Sequence, residues 1–130
     1  MNVKLLQIRI LVTDFKKSVE FYRDMVEFPV SFIEESMEYA LFNNGETKIE
    51  LVTKQAMALA IGEPYQSEEI TGQSAFLLNL SVDNVDDSYN KLRGKGIAFI
   101  TEPHDRKEWN ARVAHFRDPD GNLLELYTML

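Results

Sequence analysis

Val12-Thr13-Asp14-Phe15-Lys16-Lys17-Ser18-Val19-Glu20-Phe21-Tyr22-Arg23 is answered later in the chain by Val82-Asp83-Asn84-Val85-Asp86-Asp87-Ser88-Tyr89-Asn90-Lys91-Leu92-Arg93. Val, Ser and Arg coincide at a constant offset of 70, and the apolar Phe15, Val19 and Tyr22 match Val85, Tyr89 and Leu92. Each copy follows an alternating apolar run. Each half later ends a strand-like run with a carboxylate between apolar residues, Ile49-Glu50-Leu51 and Leu124-Glu125-Leu126. A repeat of this length means two copies of one supersecondary unit.

Working outward, Leu6, Ile8, Ile10 and Val12 alternate with Gln7, Arg9 and Leu11, which predicts a strand with an apolar core face. Thr13 or Asp14 caps a helix that carries Phe15, Val19, Tyr22 and Val26 at helical spacing. Strands follow over 30–33, 39–43 and 47–53, the last two joined by the turn Asn43-Asn44-Gly45. The second half repeats the order. A strand over 76–82 leads to a helix capped by Asn84 and ending near Arg93. Strands over 98–101, 112–117 and 122–127 follow, with a polar loop over 102–110 and the turn Asp118-Pro119-Asp120-Gly121. The expected fold class is α+β. One domain spans 1–130, with a β-α-β-β-β module over 1–53, a connector over 54–74 and a second module over 75–130. Gln55 to Ile61 suits a short helix, and Gly62, Pro64 and Gly72 mark the connector.

The chain has 130 residues, 45% of them apolar, enough for a real core. It has no cysteine, which removes disulfides, thiolate catalysis and cysteine-bound zinc. The formal net charge of −7 argues against nucleic acid as a partner. No apolar run is long enough to cross a bilayer. The first residues lack the features of a secretory signal, so a cytoplasmic location is expected.

Strand parity turns Gln7, Arg9, Glu50, Asn79, Glu125 and Tyr127 away from the helices. One such Glu is commonly just a solvated outward residue. Two at equivalent positions of a repeat form a stronger pattern, because facing carboxylates need a cation or a positive side chain between them. Arg9 is one candidate and a divalent metal another. His115 lies on a strand with parity compatible with the same face, whereas His104 falls in the polar loop and reads as solvated. Trp109, the single tryptophan, is a candidate ligand contact or a cover for core.

The duplicated β-α-β-β-β order, the opening Leu6-Gln7-Ile8-Arg9-Ile10-Leu11-Val12-Thr13-Asp14 and the closing Asp118-Pro119-Asp120-Gly121-Asn122-Leu123-Leu124-Glu125-Leu126 resemble the glyoxalase I/bleomycin-resistance/extradiol dioxygenase superfamily, the vicinal oxygen chelate fold. The resemblance covers essentially the whole chain. It implies two incomplete barrels with a concave cleft, and a homodimer. It also implies a possible divalent ion (nickel, zinc, cobalt or manganese) on the first and last strands of each module. Carried over, those ligand positions fall on Gln7, Glu50, Leu77 and Glu125. Leu77 replaces a histidine and has no donor atom. The resemblance therefore leaves three readings. One is a small-molecule binder that sequesters a ligand, with Arg9, Asn79, Tyr127, Trp109 and His115 as contacts. Another is a metal-dependent lyase or isomerase of the glyoxalase I type, with Glu125 as the catalytic base. The third is a dioxygenase, disfavoured because Gln7 and Leu77 break the two-histidine, one-carboxylate face.

Overall fold

A computed structural model describes residues 1–65 and 73–130; the part of the expected connector at 66–72, with Gly72, lies outside the described residues. The chain packs as two compact units, residues 1–69 and 70–130. In the first, the order is β1 (Ile8–Val12), α1 (Phe15–Val19), β2 (Val30–Glu34), β3 (Tyr39–Asn44), β4 (Thr47–Thr53) and α2 (Lys54–Ile61). In the second, it is β5 (Leu77–Ser81), α3 (Val85–Gly94), β6 (Phe99–Arg106), β7 (Ala111–Arg117) and β8 (Leu123–Met129). Each unit has one mixed four-stranded sheet, ordered β1-β4-β3-β2 and β5-β8-β7-β6, and neither sheet closes into a barrel. The architecture is α+β, as the repeat predicts.

The duplication reaches the level of hydrogen bonds. In each unit the first strand lies parallel to the last, with Arg9 opposite Glu50 and Asn79 opposite Glu125. The Asp14 side chain caps α1 by accepting from the Lys17 amide, and Asn84 caps α3 by accepting from Asp87. The short 3-10 turns Glu35–Met37 and Lys107–Trp109 both end on a left-handed residue, Glu38 at φ 50° and Asn110 at φ 53°.

In the first unit, α1 runs on into a π-helical stretch, Glu20–Met25. The extra residue in that turn lets two adjacent side chains face inward, so Phe21 is 5% exposed beside the fully buried Tyr22. Simple helical spacing selects Tyr22 alone. Tyr22, Phe28 and Phe42 then form an aromatic cluster with ring centroids 5.6–6.4 Å apart. In the second unit Phe99 lies between Tyr89 and Phe116, at 4.6 and 4.9 Å. The Arg112 guanidinium donates from Nε and Nη2 to Asp86 on α3, at 2.7 and 2.9 Å.

Three expectations need correction. Leu6 is 73% exposed rather than on the core face, because the ladder to β4 begins only at Ile8 opposite Ile49. Phe76 is exposed for the same reason, since β5 begins at Leu77. The polar loop over 102–110 is strand as far as Arg106. There, register shifts between Phe99 and Thr101 and between Thr101 and His104 break the period-two pattern that would have revealed it.

Phe42 is fully buried among aromatic rings, so Phe42→Ala leaves a cavity that its neighbours can fill only in part. The expected loss is about 3–5 kcal/mol. Urea denaturation of the two proteins measures it; a loss below ~1 kcal/mol would show that the cluster is not part of the stable core.

Candidate functional site: two rows of side chains across the sheets

The site residues come together as one row in each unit, on the sheet face turned from α1 in the first and from α3 in the second. In the first unit the register places Arg9 opposite Glu50, Glu50 opposite Leu41, and Leu41 opposite Phe32. Four strands thus contribute one side chain each to one face. In the second unit the same operation gives Asn79, Glu125, His115 and Thr101. The carboxylate is common to both rows, and every other position differs.

Both carboxylates are buried, Glu50 at 4% and Glu125 at 7% exposure. A buried charge persists only when its oxygens are hydrogen-bonded. For Glu50, Arg9 donates from Nε to Oε1 at 2.8 Å and the Tyr39 hydroxyl donates to Oε2. Tyr39 sits in the adjacent row, opposite Val52, and reaches Glu50 diagonally. Burial pushes the Glu50 carboxyl up. The bonds from Tyr39 and Arg9, the Arg9 charge and a further bond from Gln7 outweigh burial and hold it below its ordinary 4.5. Burial and the Glu50 bond push the Tyr39 hydroxyl from 10.0 up to about 12.

For Glu125, Asn79 Nδ2 donates to Oε1 at 2.7 Å, and His115 Nε2 lies 2.8 Å from Oε2. His115 Nδ1 lies 2.8 Å from Thr101 Oγ1, which also accepts from the His115 amide at 2.9 Å. A carboxylate only accepts, so the proton shared with Glu125 sits on Nε2, and in the neutral ring Nδ1 then accepts from the Thr101 hydroxyl. Thr101, His115, Glu125 and Asn79 thus form one chain of hydrogen bonds across the whole sheet. The rows differ in kind: a permanent cation balances Glu50, whereas Glu125 has an amide and an imidazole.

Of the expected site residues, Gln7, Arg9 and Glu50 meet in the first unit, and Asn79, His115 and Glu125 meet in the second. Tyr127 lies opposite Val113, on the face that carries Glu125. Trp109 is 54% exposed beneath the Arg106 guanidinium, which is 5.6 Å from its ring centroid, and it is not among the partners of Glu125. The sequence does not single out Tyr39 or Thr101. His104 is a half-buried strand residue rather than a solvated loop residue, with its ring centroid 6.0 Å from that of His115. Pro103 beside it is the one signal that could have marked the bulge.

These donors do not fit a divalent ion as they stand. Glu50 already has a guanidinium 2.8 Å away, both Glu125 oxygens are engaged, and Leu77 offers nothing. Among the described residues, no three His, Asp or Glu side chains are grouped to hold a metal.

A sequence profile described as the Glyoxalase/Bleomycin resistance protein/Dioxygenase superfamily matches residues 4–126. The chain belongs to this superfamily. It is 59% identical over 128 residues to the uncharacterized protein YraH of Bacillus subtilis (strain 168), covering 98% of this chain and 100% of that one. Its fold is similar to a glyoxalase/bleomycin resistance protein/dioxygenase from Nocardioides, with TM-score 0.81 and 25% identity over 100% of this chain and 86% of that one. It is also similar to TnmS3, an antibiotic binding protein from Streptomyces sp. CB03234, with TM-score 0.70 and 24% identity over 100% and 99% of the two chains. Among the described residues, no helix is long and apolar enough to cross a membrane.

The pKa shifts fix two pH limits. Glu50 is depressed in the folded protein, so its contribution to stability is full above 4.5 and is lost as pH falls through the lowered folded value. The stability difference between the native protein and Glu50→Gln, followed by denaturation across the acid range, should narrow below that point. Tyr39 is raised, so its contribution is full below pH 10 and is lost as pH climbs towards about 12. The ring resonance of Tyr39 in carbon-13-labelled protein, assigned by its loss in Tyr39→Phe, should titrate towards about 12, and Glu50→Gln should bring it down. A Tyr39 titration unmoved by Glu50→Gln would separate Tyr39 from Glu50.

Proposed function

We propose that this chain is a small-molecule-binding member of the superfamily that holds its ligand without a metal, as a cytoplasmic homodimer. The observation that carries the reading is that both oxygens of each buried carboxylate are engaged by side chains of their own sheets. A carboxylate whose oxygens already accept two strong hydrogen bonds gives up that stabilisation to bind an ion. Leu77 adds to this, since a histidine position without a donor lowers affinity for transition metals. The ligand-facing groups in this reading are Arg9, Asn79, Tyr127 and His115, with Trp109 as an outer contact. The likeness to an antibiotic binding protein lies in the fold and is in keeping with a sequestering role.

Calorimetric titration of nickel and zinc into chelator-treated protein is expected to show no stoichiometric uptake. Ligands found by thermal-shift screening should bind equally well before and after chelation. Stoichiometric metal, lost in Glu50→Gln and needed for turnover of a glutathione adduct, would replace this reading with a glyoxalase I-type lyase or isomerase. Sedimentation velocity tests the dimer separately.

A further inference from the structure

We infer that the first unit's row, Arg9–Glu50–Leu41–Phe32, is a subsite for an organic anion with an apolar or aromatic body. This rests on the ligand-binding reading and names the ligand's chemistry. It is confined to one sheet face of one unit.

The anionic end follows from counting donors and acceptors. Both Glu50 oxygens are already engaged, one by Arg9 and the other by Tyr39. A cationic ligand would therefore find its natural partner occupied. Arg9 is the reverse case. It uses Nε on Glu50, and Nη1 reaches only the Met57 sulfur at 3.7 Å, a weak acceptor. Among the described residues, Nη2 meets no acceptor. The arginine side chain is 46% exposed whereas that of Glu50 is 5% exposed, so the carboxylate anchors the guanidinium from beneath and leaves its terminal edge outward. Two parallel N–H donors held in that way match a carboxylate or a phosphate. Glu50 is a positioning residue here. It fixes the plane of the fork and touches no ligand.

The apolar body follows from the rest of the row. Leu41 is half-buried and Phe32 is 53% exposed, an unusual place for a large ring on a sheet face. Phe32 lies 6.2 Å from Tyr39, ring centroid to ring centroid. Tyr39 in turn is hydrogen-bonded to Glu50, so the aromatic shelf and the guanidinium are built on one carboxylate. Leu11, 38% exposed, shares the Arg9 side of the face. Arg9 and Phe32 are three strand spacings apart, roughly 14 Å between backbones. The long arginine side chain shortens that gap, and a ligand with one or two fused rings spans the remainder over Leu41. The second unit's row has hydroxyl, imidazole and amide groups at these positions and offers no such pairing of cation and shelf.

Three isosteric probes test this on the full-length protein: 2-naphthoate, 2-naphthalenemethanol and 2-naphthylmethylammonium. Binding is read by calorimetry and by the Arg9 Nε–H resonance of nitrogen-15-labelled protein. Naphthoate should bind at least about tenfold more tightly than the alcohol, with the ammonium weakest. Arg9→Lys keeps a charge and loses the fork, and should remove most of that preference. Phe32→Ala truncates an exposed ring, is expected to fold, and should weaken all three probes while keeping their order. If the alcohol matches naphthoate, or the ammonium is preferred, the anion assignment falls while ligand binding itself stands. If none of the three shifts the Arg9 resonance at millimolar concentration, the subsite falls and the ligand must have other chemistry.

Discussion

A carboxylate that is only a few per cent exposed on a β-sheet must be supplied with donors by its neighbours, and in a sheet those neighbours are set by register. The parallel pairing of first and last strands is therefore the feature on which the rest depends. It puts Arg9 beside Glu50 and Asn79 beside Glu125. The antiparallel neighbour then completes each row, with Leu41 in one unit and His115 in the other. A slip of one residue would turn every side chain of the strand to the opposite face. Both carboxylates would then meet aliphatic core. The polar rows and the apolar cores thus specify the same register independently, and that agreement favours a single folded state.

The two rows show how a duplicated frame supports different chemistry. The backbone operation is the same in each unit, down to the caps and the left-handed residues after the 3-10 turns. One row carries fixed charges of both signs next to an aromatic shelf. The other carries an unbroken line of hydrogen-bonding groups. The first suits recognition by charge and shape. The second ties a hydroxyl, an imidazole, a carboxylate and an amide into one hydrogen-bonded line. Fold-level kinship says little about which use is made, and the side chains of each row carry the information.

Most of the architecture was legible in the sequence because it rests on local rules. Helix caps, alternation and turn residues located nearly every element. Parity placed Glu50 and Glu125 on the faces away from the helices. What stayed hidden depended on contacts between distant strands. Tyr39 reaches Glu50 along a diagonal, and no periodicity encodes a diagonal. Thr101 and His104 share a strand with two register shifts, so counting by twos misplaces one or the other. Phe21 is buried through a π-helical turn, which a 3.6-residue period does not anticipate. Of the ligand positions that kinship implies, Glu50, Leu77 and Glu125 lie on strands and Gln7 just before one. Their chemistry could not be read there, because whether a carboxylate is free or engaged depends on partners up to 46 residues away.

The irregular strands have a consequence for solubility of the folded chain. Each sheet is open, and among the described residues its edge strands, β1 and β2 in one unit and β5 and β6 in the other, pair on one side only within their sheet. β2 carries a register shift between Val30 and Phe32, and β6 carries two shifts together with Pro103. A prolyl nitrogen cannot donate, and a bulged edge cannot zip against a straight one. The edge nearest the exposed Phe32 and the edge that carries Thr101 are thereby made poor templates for cross-β stacking. The distortions that obscured these strands in the sequence also guard them against aggregation.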